Sequence, residues 1–160
     1  MLHLAAQPGA LFIGQGVAYG GVATGRDLEG VPMEQLVEFP VAEELQLGVS
    51  VGLAMQGFLP VSIYPRFDFL LLAFNQLVNH LDKLAQMSQG QWNPKVIIRT
   101  RVGSKTPLDA GPQHTQDYTR PLRIMLKHVA VMKIAREDEV LATYQAAVRH
   151  PNSVVVVEAF

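Results

Sequence analysis

Three groups of residues carry the side chains and spacings that could do chemistry. The first is Glu43 with Gly48, Val49 and Gly52, in the stretch PVAEELQLGVSVG. It puts a carboxylate at the first turn of an expected helix whose next turns carry glycines four apart. Glycines at that spacing share one face and let another backbone approach closely. They cost about 1 kcal/mol each against alanine, so close packing on a partner helix is the natural compensation. Spacing alone leaves open a plainer alternative, in which Glu43 and Glu44 are solvated and merely suit the helix dipole. The second group is Phe67 and Phe69 in YPRFDFLLLAFNQ, at a strand-to-helix turn. An aromatic there can stack on a flat heteroaromatic ring, or both can anchor the turn from the core. The third is His114 in GPQHTQD, in a loop after an expected strand, where an imidazole could relay a proton or simply face solvent.

Other candidates carry less. His3, His80, His128 and His150 show no paired metal-ligand spacing. The stretch VGSKTP lacks both glycines that a phosphate-binding GxxxxGK[ST] loop needs, and Pro107 and Asp109 interrupt any following helix. The chain has no cysteine, which excludes a disulfide framework, a thiolate metal site and a cysteine nucleophile together. A formal net charge of -1, with no massed Lys and Arg beyond Arg99 to Lys105, points to neither nucleic acid nor an anionic membrane as partner. The start, MLHLAAQPGALFIG, has neither the basic opening nor the apolar length of a signal peptide, and no apolar run approaches the ~20 residues of a membrane span. The expectation is a soluble, cytoplasmic protein.

The elements that must position these residues alternate. Leu11 to Gly14, Pro60 to Tyr64, Lys95 to Thr100, Val129 to Ile134 and Val154 to Glu158 are short apolar runs that predict strands. Between them, Ala42 to Gln56 is helical with Gly57 as its cap. Phe67 to Met87 predicts one long helix, from Leu70, Phe74, Leu77, Leu81 and Leu84. Arg120 to Lys127 and Glu137 to His150 predict two more helices, while Gly14 to Gly30 and Arg101 to Asp117 read as loops. Strands separated by helices imply an α/β fold of three layers, a mainly parallel sheet with helices on both faces, formed by a single domain over residues 1–160. Ligands in such sheets sit beyond the carboxyl ends of the strands, where the candidate loops lie.

Glu43, Gly48, Val49 and Gly52 resemble, position by position, the pyrimidine-side signature of thiamine diphosphate enzymes. FPVAEELQLGVSVGLAMQGFLPV, FDFLLLAFNQLVNHLDKLAQMSQGQ, KVIIRT, GPQHTQ and HPNSVVVVE then follow the order of the beta subunit of 2-oxoacid dehydrogenase E1 components, a transketolase-like family. The resemblance covers about Leu11 to Glu158. It implies that Glu43 hydrogen-bonds the ring nitrogen of the cofactor's aminopyrimidine and favours its imino form, which helps deprotonate the thiazolium carbon. It implies that Phe69, with Phe67 beside it, contacts that ring and that His114 faces the substrate.

The GDG…N motif that holds magnesium and the diphosphate is absent. In the family it lies on the alpha subunit. The resemblance therefore implies thiamine diphosphate shared with an E1 alpha-like, diphosphate-binding partner that holds the magnesium, in a homodimer or heterotetramer with Glu43 near the contact. A full beta subunit continues into a second α/β domain, whereas this chain ends at Phe160. The loop VGSKTPLDAGPQH is also less glycine-rich than its family counterpart, and Lys105 and Asp109 are expected to bring charge close to where the substrate would sit. Two alternatives remain beside a 2-oxoacid dehydrogenase or decarboxylase subunit. One is a non-catalytic binding or assembly module that keeps the fold. The other is a transketolase-type enzyme, which would call for more basic and histidine residues than the chain offers.

Overall fold

In the computed structural model, which describes residues 1–160, six strands form one fully parallel sheet. They are β1 (Ala10–Gly14), β2 (Leu36–Glu38), β3 (Leu59–Tyr64), β4 (Ile97–Arg101), β5 (Ala130–Ile134) and β6 (Val154–Glu158), in the order β2-β1-β3-β4-β6-β5. The helices are α1 (Leu2–Ala5), α2 (Ala23–Asp27), α3 (Glu43–Met55), α4 (Phe67–Leu70), α5 (Leu84–Met87), α6 (Thr119–Met125) and α7 (Val140–Arg149). No helix is long and apolar enough to cross a membrane.

The strands are mainly apolar because both faces of the sheet are covered, and successive side chains point to opposite faces. Ile97, Val154 and Val156 enter one core with Leu4 of α1, Tyr144 and Ala147 of α7, and Phe12. Ile98, Val155 and Val157 enter the other with Leu47 and Val51 of α3, Phe67 and Leu70 of α4, and Leu122 of α6. The three-layer α/β architecture read from the sequence is the one the chain adopts.

Three expectations are refined. The stretch from residue 67 to 87 is helical but not one regular helix. After α4 it tightens over Leu71–Ala73, then widens over Asn75–Leu81, where the Asp82 N–H reaches five residues back to the Leu77 carbonyl at 2.9 Å. The wide turn carries Asp82 inward, and its buried carboxylate accepts the N–H groups of Lys127, His128 and Val129. A hydrophobic period of three to four residues does not register a change of turn width. Leu70, Leu77 and Leu81 are nonetheless buried as that period requires. Strand β2 was not foreseen, since its three residues are only half-buried and follow a loop without strand patterning. The glycine-rich loop after β1 contains α2.

Helix α3 begins without a side-chain cap, its acidic first turn suiting the dipole. It ends in a Schellman arrangement: Gly57, at φ +89°, donates to the Ala54 carbonyl and Phe58 to that of Leu53. On its flank the Gln46 amide, buried between β1 and β3, donates to the carbonyls of Ile13 and Ile63 at 3.2 and 3.1 Å and to Ser62 Oγ at 3.1 Å. These bonds fix the start of α3 against the ends of two strands. The position of Glu43 follows from them.

Candidate ligand cleft at the carboxyl end of the sheet

The chain leaves β1 toward β2 on one side, whereas from β3 it proceeds toward β4 on the other. The loops after β1 and β3 therefore part, and a crevice opens between them, as expected at such a switch point. A cleft of about 300 Å³ lies there, lined by Gln15, Gly16, Thr24, Arg66, Phe69 and His114, among others. Its volume is at the lower end for small-molecule sites.

Each wall has a local cause. The Glu38 carboxylate at the end of β2 accepts the N–H of Gly16 at 2.7 Å and of Ala18 at 3.0 Å, pinning the loop after β1. Gly16 sits at φ +73°, and a Cβ there would fall 2.8 Å from the Val22 side chain, so this turn requires glycine. Opposite, Pro65 and Arg66 leave β3 and lead into α4, which carries Phe69. The loop after β4 returns across the top, where His114 meets Phe69 edge to face with ring centroids 5.4 Å apart. A Cβ on Gly103 would fall 2.0 Å from the His114 carbonyl oxygen, so the two ends of this loop touch only because residue 103 has no side chain.

The structure thus brings Phe69 and His114 together. It separates Phe67 from them: that ring is fully buried, packed edge to face on Tyr118, so none of its surface is open to a ligand. The expectation that Phe67 contacts a cofactor directly is corrected on this point, because the first residue of α4 faces the sheet and the third faces the cleft.

Glu43 does not line the cleft. It is half-buried at the first turn of α3, and its carboxylate makes no hydrogen bond or ion pair within the chain, whereas Glu44 accepts from the Asn75 amide at 2.9 Å. The Glu43 main-chain carbonyl accepts the Tyr64 hydroxyl at 3.3 Å, linking α3 to the end of β3 just before Pro65 and Arg66. Burial, with a further push from the Glu43 charge, holds the Tyr64 hydroxyl well above its ordinary range, so it remains a donor. Gly48 faces the Gln76 side chain at 3.7 Å and Gly52 faces open space, so Gly52 meets no helix within the chain.

Lys105 and Asp109 lie exposed on the loop over residues 103–110 and do not reach the cleft. The charge that does line it is Arg66, which the sequence reading passed over. The signal was available: Arg66 is the second residue beyond a predicted strand, on the ligand side of the sheet. Beside it, Arg99, Arg101, Asp27, Glu158 and Tyr144 form a closed network. Arg99 Nε and Nη2 donate to the two Glu158 oxygens, both at 2.8 Å, Arg99 and Arg101 bridge to Asp27, and the Tyr144 hydroxyl donates to Glu158 at 2.7 Å. Burial alone would raise the Glu158 carboxyl, but the two guanidiniums prevail and hold it at about 2. Among His, Asp and Glu side chains, no group of three or more is placed to hold a metal ion.

A parallel doubly wound domain with its cleft at the switch point is the class the geometry defines. Comparison with known proteins makes it specific. The family model described as transketolase, pyrimidine binding domain, matches residues 3–159. The beta subunit of the pyruvate dehydrogenase E1 component of Rhizobium meliloti is 29% identical over 127 residues, covering 78% of this chain and 26% of that protein. The mitochondrial counterpart of Saccharomyces cerevisiae is 28% identical over 124 residues, covering 78% and 33%. The chain thus spans about a third or less of the length of these two relatives. Among solved structures, a split gene transketolase described as an inactive beta4 tetramer superposes with a TM-score of 0.74 at 17% identity, over 96% of this chain and 45% of that one. The transketolase of Campylobacter jejuni gives 0.70 at 18% identity, over 93% and 22%. This chain belongs to the transketolase pyrimidine-binding domain family, with pyruvate dehydrogenase E1 beta subunits among its relatives.

Proposed function

We propose that this chain, acting as one pyrimidine-side domain over residues 1–160, forms half of a thiamine diphosphate site in a 2-oxoacid dehydrogenase or decarboxylase. The other half is a separate E1 alpha-like subunit that holds the diphosphate and magnesium. The observation that carries the reading is the division of labour around the switch point. An uncommitted carboxylate stands at the start of α3, and a partly exposed aromatic ring is braced by a histidine whose Nδ1 is buried without a hydrogen-bond partner. These residues fit an aminopyrimidine: Glu43 is free to share a proton with a ring nitrogen, and Phe69 offers a flat apolar wall. When bound, the cofactor supplies the carbon nucleophile and the electron sink.

Glu43 then holds the ring-nitrogen proton, and burial at a subunit contact would favour the shared state by desolvating the carboxyl. His114 donates or accepts a proton at the substrate's oxygen, with Phe69 fixing its ring. Phe67 holds the first turn of α4 from the core. The open flank of α3 at Gly52 is a surface on which a partner helix can seat, giving a homodimer or heterotetramer with Glu43 near the contact, in a cytoplasmic setting.

Titration calorimetry with thiamine diphosphate and magnesium tests the reading, using this chain alone and mixed with candidate diphosphate-side subunits. The expected result is uptake only in the mixture, abolished by Glu43→Ala. The second reading, a non-catalytic assembly module, draws on one observation, that Glu43 does not line the cleft holding Phe69 and His114. No uptake in any mixture would establish it.

A further inference from the structure

We infer that Arg66 is the anchor for the carboxylate of the substrate, and that the cleft between the loops after β1 and β3 is the substrate pocket. Only the identity of the anion as a 2-oxoacid rests on the function proposed above. Arg66 is the one residue of fixed charge lining the cleft, and no carboxylate lines it. The arginine is held but not neutralised. Its Nη1 donates to the Pro65 carbonyl at 2.9 Å, while its Nε, sealed from solvent, has no hydrogen-bond partner in the chain. It forms no ion pair, although Arg99 and Arg101 nearby both do.

A buried, unused guanidinium donor carries a desolvation cost that an anion of matching geometry would relieve. His114 Nδ1 is the second unpartnered buried donor or acceptor on the same lining. Gly103 ties the two together, since its Cβ position lies 2.0 Å from the His114 carbonyl and 3.5 Å from Arg66 Nε. The arrangement offers a planar fork for a carboxylate, an imidazole for the adjacent oxygen and the Phe69 ring as an apolar wall. One unpaired cation and a cleft of about 300 Å³ suit a small monocarboxylate better than a phosphate dianion, which would call for further positive charge.

The test needs neither cofactor nor turnover. Pyruvate is titrated into this chain at constant ionic strength, and the His114 ring nitrogens are followed by NMR, with inorganic phosphate as the competing anion. The expected result is a saturable shift with pyruvate, weaker or absent with phosphate. Arg66→Gln should lower pyruvate affinity by about tenfold or more, the loss of a charge-assisted bidentate contact. Undiminished pyruvate binding by a folded Arg66→Gln chain would overturn the assignment, as would tighter binding of phosphate or no saturable shift in the unmodified chain. If circular dichroism shows that Arg66→Gln does not fold, Arg66→Lys decides: it keeps the charge and loses the fork, so unchanged affinity again overturns the assignment. Cofactor calorimetry on the unmodified chain separates this inference from the one it rests on. Retained pyruvate binding with no cofactor uptake in any mixture would remove the split-site reading and leave the anion site standing. Cofactor uptake without an Arg66-dependent pyruvate shift would do the reverse.

Discussion

Two polar clusters stand side by side at the carboxyl end of the sheet, and they are built on opposite terms. Around Glu158 each carboxylate oxygen accepts from at least one of three guanidinium N–H groups, and the buried Tyr144 hydroxyl adds a fourth donor. Around Arg66 a guanidinium Nε and an imidazole nitrogen are shut away from water with nothing to bond. Burying polar groups is tolerated when they are paired and costly when they are not. The closed cluster therefore belongs to the fold, joining β4, β6, α2 and α7. The open one is a liability to the fold that a ligand would remove. The difference between the two follows from connectivity: Glu158 lies on an inner strand between β4 and β5, whereas Arg66 lies where the loops of β1 and β3 separate.

The largest expected effect comes from breaking the closed side. Glu158→Ala leaves Arg99, almost fully buried, facing Arg101 with only Asp27 between them, and should destabilise the chain by about 3–5 kcal/mol in urea unfolding. Arg66→Gln removes no paired charge and should change stability by less than about 1 kcal/mol. Equal losses from the two substitutions would erase the distinction.

Acid sharpens the same contrast. The Glu158 carboxyl titrates at about 2 in the folded chain against an ordinary 4.5, so the unfolded chain binds the proton more readily. The contribution is fully present above the ordinary value and is lost as pH falls through about 2. Its size is on the order of 3 kcal/mol. Unfolding free energies measured across that window should fall more steeply for the unmodified chain than for Glu158→Gln; parallel slopes would show that another group governs the acid limb.

A smaller effect is expected at the joint of the open cluster. Gly103→Ala drives a Cβ to 2.0 Å from the His114 carbonyl, so the loop must move rather than the side chain alone. Strain of this kind costs about 1–3 kcal/mol. Its clearer readout is loss of the ring-current shift that the Phe69–His114 contact produces, which should vanish without global unfolding. A preserved shift would mean that the loop adapts and that glycine is not what sets His114.

These contrasts show what the residue pattern conveys and what it withholds. The sheet was legible because runs such as Val154 to Val157 are apolar on both faces, which only a strand covered on both sides tolerates. Phe69 and His114 were legible as positions following strands, and the structure brings them into contact. The fate of Phe67 was not, since two residues along a short helix turn it from cleft to core. Arg66 was overlooked because a lone arginine has no spacing motif. What marks it is the lack of a partner, and pairing between Arg99, Asp27 and Glu158 joins residues 59 and 72 positions apart in the chain.

The smallest expected effect concerns the link between the two halves of the proposed site. Tyr64 is buried at the end of β3, and its hydroxyl joins Ser62 to the Glu43 main-chain carbonyl, both at 3.3 Å. Tyr64→Phe keeps the ring and the packing, so the stability loss should be only about 1 kcal/mol, the worth of an ordinary hydrogen bond. The bond nonetheless spans α3 and the strand that delivers Arg66 and Phe69. If Tyr64 sets the position of Glu43, Tyr64→Phe should weaken cofactor uptake in the two-subunit mixture while leaving the pyruvate-induced His114 shift of the single chain unchanged. A change in both would mean that Tyr64 supports the whole strand end, and a change in neither would mean that Gln46 alone holds the start of α3.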